Sequence, residues 1–88
     1  MQKLLKTPRS EEEWFTLTRQ LLKAHMTLAG FRFADLSRAL ARFGIDESEV
    51  NLRNRINRGR FSAVLMLQCL RAMDVEQLML PTDDRTTP

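Results

Sequence analysis

The stretch Asn51–Ser62, NLRNRINRGRFS, carries four arginines within eight residues, no acid, and only two aliphatic side chains, Leu52 and Ile56, four apart. Apolar residues at i and i+4 mark one buried side of a helix. On the opposite side of the same wheel fall Asn51, Asn54 and Arg58, spaced i, i+3, i+7, with Val50 beside them. Arg53 and Arg55 lie on the two flanks of that line. Gly59 ends the helix, Arg60 stands on the turn, and Ser62 is placed to cap the next one. A solvated helix face usually mixes Glu and Lys, whereas this one presents two amides and a guanidinium. Asn pairs bidentately with adenine, and Arg with the N7 and O6 of guanine, in the major groove of duplex DNA. Arginine-rich faces are also common as plain soluble surface, so the surrounding chain has to separate the two readings.

The whole chain has 88 residues, room for one small domain. Hydrophobic content of 43% beside 28% charged residues indicates a folded rather than a disordered chain. A domain this small buries only about 60% of its unfolded surface, and an apolar interface with a second copy would add stability. The net charge of +3 is unevenly spread. Glu11, Glu12 and Glu13 sit near the front and Asp83 and Asp84 in the tail, while Val50 to Met73 holds arginines 53, 55, 58, 60 and 71 and no acid. That asymmetry favours a polyanionic partner.

Outward from the arginine-rich stretch, the pattern is helical throughout. Ser10 and Glu13 have capping-box spacing, and three acids in a first turn suit the helix dipole. The first helix is expected to bury Trp14, Leu17, Leu21 and Leu28, flanked by Phe15, Leu22 and Met26, and to stop at Gly30. A second helix is predicted over about 33–43, from Leu36, Leu40 and Phe43, and Gly44 ends it. Asp46 or Ser48 can cap the third, which occupies about 47–58. The fourth, about 63–73, reads AVLMLQCLRAM, apolar nearly all round, and must be central or at an interface. VEQLML, from Val75 to Leu80, is ambiguous between a helical turn and a strand. The expected fold is all-α, a four- to five-helix bundle over residues 10–80 containing a helix-turn-helix. Residues 1–9 are expected to be a flexible N-terminal segment and 81–88 a flexible tail.

Other chemistries find little support in the residues. A single cysteine, Cys69, excludes an internal disulfide and a Cys-based zinc cluster; in its apolar run it is expected as a buried free thiol. The single histidine, His25, sits within the apolar stripe of the first helix and reads as a packing residue, not a ligand or base. The Glu triplet is a helix start, and the phenylalanines at helix ends read as core plugs more readily than as stacking platforms. No nucleophile–base pair and no glycine-rich phosphate loop is visible, since glycines 30, 44 and 59 are isolated helix stops. The expectation is therefore no enzyme, no metal and no cofactor. No run approaches the ~18 apolar residues of a membrane span, and MQKLLKTPRSEEEW lacks the apolar core and cleavage site of a signal peptide. The cytoplasm is the expected location.

FADLSRALARFGIDESEVNLRNRINRGRFSAVLMLQCLRAM resembles the lambda-repressor-like helix-turn-helix superfamily. More narrowly, it is similar to a small family of bacterial domains of unknown function with the motif Asn-Leu-x-Asn-Lys/Arg-Ile-x-Arg-Gly-x-Phe-Ser. That motif stands here as Asn51, Leu52, Asn54, Arg55, Ile56, Arg58, Gly59, Phe61 and Ser62, and the similarity spans roughly residues 14 to 80. The broad resemblance implies a bundle that binds operator DNA as a dimer, with the third helix in the major groove and the turn before the fourth touching phosphate. The stretch between Leu36 and Leu52 is about one helical turn longer than the compact repressor turn, so base-contacting positions follow from the wheel and not from alignment.

Together these observations make a sequence-specific, duplex-DNA-binding transcriptional regulator the leading expectation, acting as a homodimer. Asn51, Asn54 and Arg58 are the expected base readers; Arg32, Arg53, Arg55, Arg60 and Ser62 are expected at the phosphates. Anion sites are expected at the starts of the second and fourth helices. Leu70, Met73, Leu78, Met79 and Leu80 are the expected dimer surface. The alternatives are an antitoxin-like or adaptor module docking an acidic protein through the same basic face, or an RNA-binding domain.

Overall fold

Three helices begin where a serine satisfies a first-turn amide, and a fourth, the second in chain order, begins where a carboxylate accepts from the capping residue. In the computed structural model, which describes residues 7–80, the order is α1 (Glu11–Ala29), α2 (Phe33–Ala41), α3 (Glu49–Arg58) and α4 (Ala63–Ala72). Among the described residues there is no strand. VEQLML forms neither helix nor strand. Residues 1–6 of the expected flexible segment, and the expected tail 81–88, lie outside the described residues.

Ser10, Ser48 and Ser62 cap α1, α3 and α4, each hydroxyl accepting from the N–H three residues on, at 3.0–3.1 Å. Ser48, not Asp46, is thus the cap of α3. The capping box of α1 is altered in one arm: the Glu13 carboxylate accepts from the N–H of Arg9 rather than of Ser10. Helix α2 ends at Ala41, two residues before Phe43, which is exposed in the turn that follows. Gly30, Gly44 and Gly59 all adopt the left-handed conformation.

The core is built from α2, α3 and α4 around Leu36, Leu40, Leu52, Ile56, Leu65 and Cys69, closed on one side by Leu22 and Met26 of α1. α3 packs against α2 and α1, and α4 against α2 and α1. Leu52 and Ile56, the two aliphatics of the opening stretch, are fully buried. Burying a leucine or isoleucine contributes about 1.5–3 kcal/mol, so this pair alone anchors a helix whose remaining side chains are polar or charged, apart from Val50.

α1 is seated differently from expectation. Leu17 is buried, but Trp14 is 49% exposed and Leu28 83% exposed, while Leu22 and Met26 enter the core. The stripe that faces α3 is Phe15, Arg19, Leu22 and Met26, at i, i+4, i+7 and i+11. An arginine within that stripe hides it from a count of apolar residues.

The reason for the tight seat is Gly59. It is buried at φ +69°, and a Cβ built there would lie 2.1 Å from the carbonyl oxygen of Phe15. Only a residue without a side chain lets the end of α3 meet the backbone of α1.

Candidate nucleic-acid interface

The long turn between α2 and α3 folds inward. Ile45 packs against the core and its N–H bonds to the Leu40 carbonyl, while the Ser37 hydroxyl donates to the Glu47 carbonyl at 2.7 Å. Tied down in this way, the turn leaves the outer face of α3 uncovered. Val50, Asn51, Asn54, Asn57 and Arg58 are all exposed along it. At about 1.5 Å rise per residue, a ten-residue helix is about 15 Å long, on the scale of the ~12 Å major groove.

The three expected base readers share one solvent-facing line. Among the described residues, the side chains of Asn51, Asn54 and Arg58 have no hydrogen-bond or ionic partner. Their donors and acceptors are free for a ligand. The expected phosphate residues behave otherwise. Arg53 pairs with Glu49 at 2.6 Å and lies over the Phe33 ring; Arg55 pairs with Glu47 at 3.2 Å. Arg60 stacks on the Phe15 ring at 4.1 Å and approaches Glu12 at 3.8 Å. The run from Val50 to Met73 contains no acid, yet acids from outside it fold back onto its arginines. The Glu49–Arg53 and Glu12–Arg60 pairs are open to solvent and individually weak, at about 0–1 kcal/mol, so a phosphate can exchange with the carboxylate, whereas the Glu47 carboxylate that holds Arg55 is largely buried.

The start of α2, one of the two expected anion sites, already has a carboxylate of the chain beside it. The Asp35 carboxylate accepts from the N–H of Arg32 at 2.8 Å and pairs with the guanidiniums of Arg38 and Arg32. The Arg32 N–H, more than the neighbouring guanidiniums, holds the Asp35 carboxyl below its usual range. Arg32 is therefore engaged with an internal anion. The start of α4 keeps its opening: Ser62 is used as the cap, and the N–H groups of Ala63 and Val64 have no described partner.

The expected dimer surface divides. Leu70 and Met73 are 6% exposed and belong to the core of the chain itself. α4 also has a solvent-facing apolar pair outside those five residues, Val64 and Leu67, which are 62% and 66% exposed. Met79 and Leu80 are exposed as well, and Leu78 is at the edge of exposure.

Two further residues border the line. The Lys23 ammonium donates to Asn57 Oδ1 at 2.8 Å, and Arg19 donates to the Asn57 carbonyl at 3.3 Å. Spacing on α1 gave no sign of them, because what brings them here is the docking of α1 at Gly59. Cys69 is buried and free, its thiol raised to about 11 by burial and then by the Glu47 carboxylate. His25 is half-buried. No helix among the described residues is long and apolar enough to cross a membrane.

Residues 14–78 match the family described as Domain of unknown function (DUF6471), and the chain belongs to it. No curated protein and no solved structure matches the chain.

Proposed function

We propose that the chain is a sequence-reading, duplex-DNA-binding regulator of transcription in which α2, the turn and α3 act as a helix-turn-helix. In this reading α3 enters the major groove, Asn51, Asn54 and Arg58 meet base edges, and the α3–α4 turn with Arg60 and Ser62 meets phosphate. The observation that carries the reading is the line of two amides and a guanidinium on α3, exposed and without an intramolecular partner. Side chains of this type left unpaired beside arginines suit base edges, where each bidentate contact discriminates by about 1–3 kcal/mol. A homodimer would present two such helices about 34–36 Å apart. Val64 and Leu67, with Leu78, Met79 and Leu80, are the exposed apolar residues of α4 and the segment after it that could join two copies, Leu70 and Met73 being spent in the core.

The test is selection from a random-sequence duplex pool at two salt concentrations, followed by Asn54→Ala on the selected site. Enrichment of a two-fold-symmetric site is expected, with steep salt dependence. Asn54→Ala should then weaken that site by about 1–3 kcal/mol while sparing random DNA. Equal loss on both duplexes would reject base reading, retention of RNA instead would make the same arginines RNA contacts, and no retention at all would leave a protein-docking face.

A further inference from the structure

We propose that the phosphate-contacting surface extends from α3 onto α1 through Arg19 and Lys23, with Asn57 as the residue that positions them. The inference rests on the duplex-binding reading above and adds residues that reading does not include. Its basis is how charge is distributed around α3. Arg53, Arg55 and Arg60 each face a carboxylate, so a phosphate arriving there must replace an existing partner. Arg19 and Lys23 face none among the described residues; both are held by neutral oxygens of Asn57. Arg58, next along α3, is also without an acid. Undiminished positive charge is therefore available where the last turn of α3 meets α1.

Geometry supports the same place. On the wheel of α3, Asn57 lies beside Asn54, so the Lys23 ammonium borders the line of free side chains. Lys23 is exposed and uses one of its three donors on Asn57; Arg19 uses one of five. Arg19 and Lys23 are i and i+4 on α1, so their charges run as a short rail beside the reading face. Capping the last carbonyls of α3 is an ordinary structural task for an arginine, and it leaves the other donors for a phosphate.

The experiment measures binding of the full chain to random-sequence duplex DNA across a salt series, for the wild type and for Arg19→Gln with Lys23→Gln. Each lost phosphate contact should lower the slope of log affinity against log salt by about 0.9, so the double variant should lose about 1.8. Arg19→Lys with Lys23→Arg keeps both charges and should keep the slope. Asn57→Ala removes the Oδ1 that holds Lys23 and keeps the carbonyl that holds Arg19; it should reduce affinity several-fold with the slope nearly unchanged, the mark of a positioning residue. If the double variant does not fold, as circular dichroism would reveal, Lys23→Gln alone should lose about 0.9. A wild-type slope in the folded glutamine variants would overturn the inference while leaving duplex binding intact. A wild type that binds no duplex at low salt would remove the parent reading and this one together.

Discussion

The two ends of α3 are similar in sequence and opposite in surroundings. From its front, where Ser48 caps the helix, Glu49 and Glu47 reach forward to hold Arg53 and, in the last turn, Arg55. At its end, Gly59 admits the backbone of α1, and Arg19 and Lys23 converge on Asn57. One end is charge-balanced by carboxylates from its own approach; the other gathers cations from a helix about 35 residues earlier in the chain. Arginine content alone does not locate a positive surface. What decides it is which acids the fold brings back.

The largest expected effect is at the end nearer α1. Gly59→Ala combines a left-handed backbone, which disfavours a side chain by about 1–2 kcal/mol, with overpacking against Phe15 of about 1–3 kcal/mol. A total loss of about 2–5 kcal/mol should appear in denaturant unfolding. Gly44→Ala is the control: its φ is +80° but nothing lies within 4 Å of the added carbon, so only the backbone part should be lost. Equal losses at the two positions would mean that the α1 contact is slack.

A smaller effect lies beneath the charge-balanced end. Cys69 holds its proton more tightly when folded, with a value near 11 against an ordinary 9. Its contribution is complete below pH 9 and is lost as pH rises through 11, at up to about 1.4 kcal/mol per pH unit. Unfolding followed from pH 8 to 11 should show this decline, and Cys69→Ala should flatten it. Ser48→Ala should next remove about 1 kcal/mol by uncapping α3, read as a lower thermal midpoint. Glu47→Gln is the mildest change, shifting stability by less than about 1 kcal/mol because glutamine keeps the shape and the Arg55 end of the pair is in solvent. It should nonetheless raise affinity for random duplex DNA, since Arg55 is released; unchanged affinity would show that the acid does not restrain that arginine.

Much of this architecture can be read from local signals. Serines at 10, 48 and 62 and glycines at 30, 44 and 59 bracket the helices because caps and left-handed turns depend on neighbouring residues alone. The exposed line on α3 follows equally from Leu52 and Ile56, which fix the buried side. What depends on tertiary docking was not legible. Trp14 and Leu28 look like core and are not, because α1 turns its Phe15, Arg19, Leu22 and Met26 side toward α3. Leu70 and Met73 look spare and are not: both join the core cluster with Leu36, Leu40 and Cys69. Asp35 stands at the start of α2 and accepts from the Arg32 N–H three residues back, a local contact that the arginines around it obscure in the sequence.

The bond from Arg19 to the last turn of α3 spans 38 positions in the chain, and it bears on how the domain assembles. A ten-residue helix with two core aliphatics has little tendency to form alone, since isolated helices shorter than about 12–15 residues are marginal in water. α3 thus acquires its shape only as α1 and α2 close over it, and its amides should exchange with solvent at the rate of global opening rather than by local fraying. The backbone of α3 is consequently formed before any ligand arrives, and its ordering entropy belongs to folding, while the exposed side chains keep their rotamer freedom.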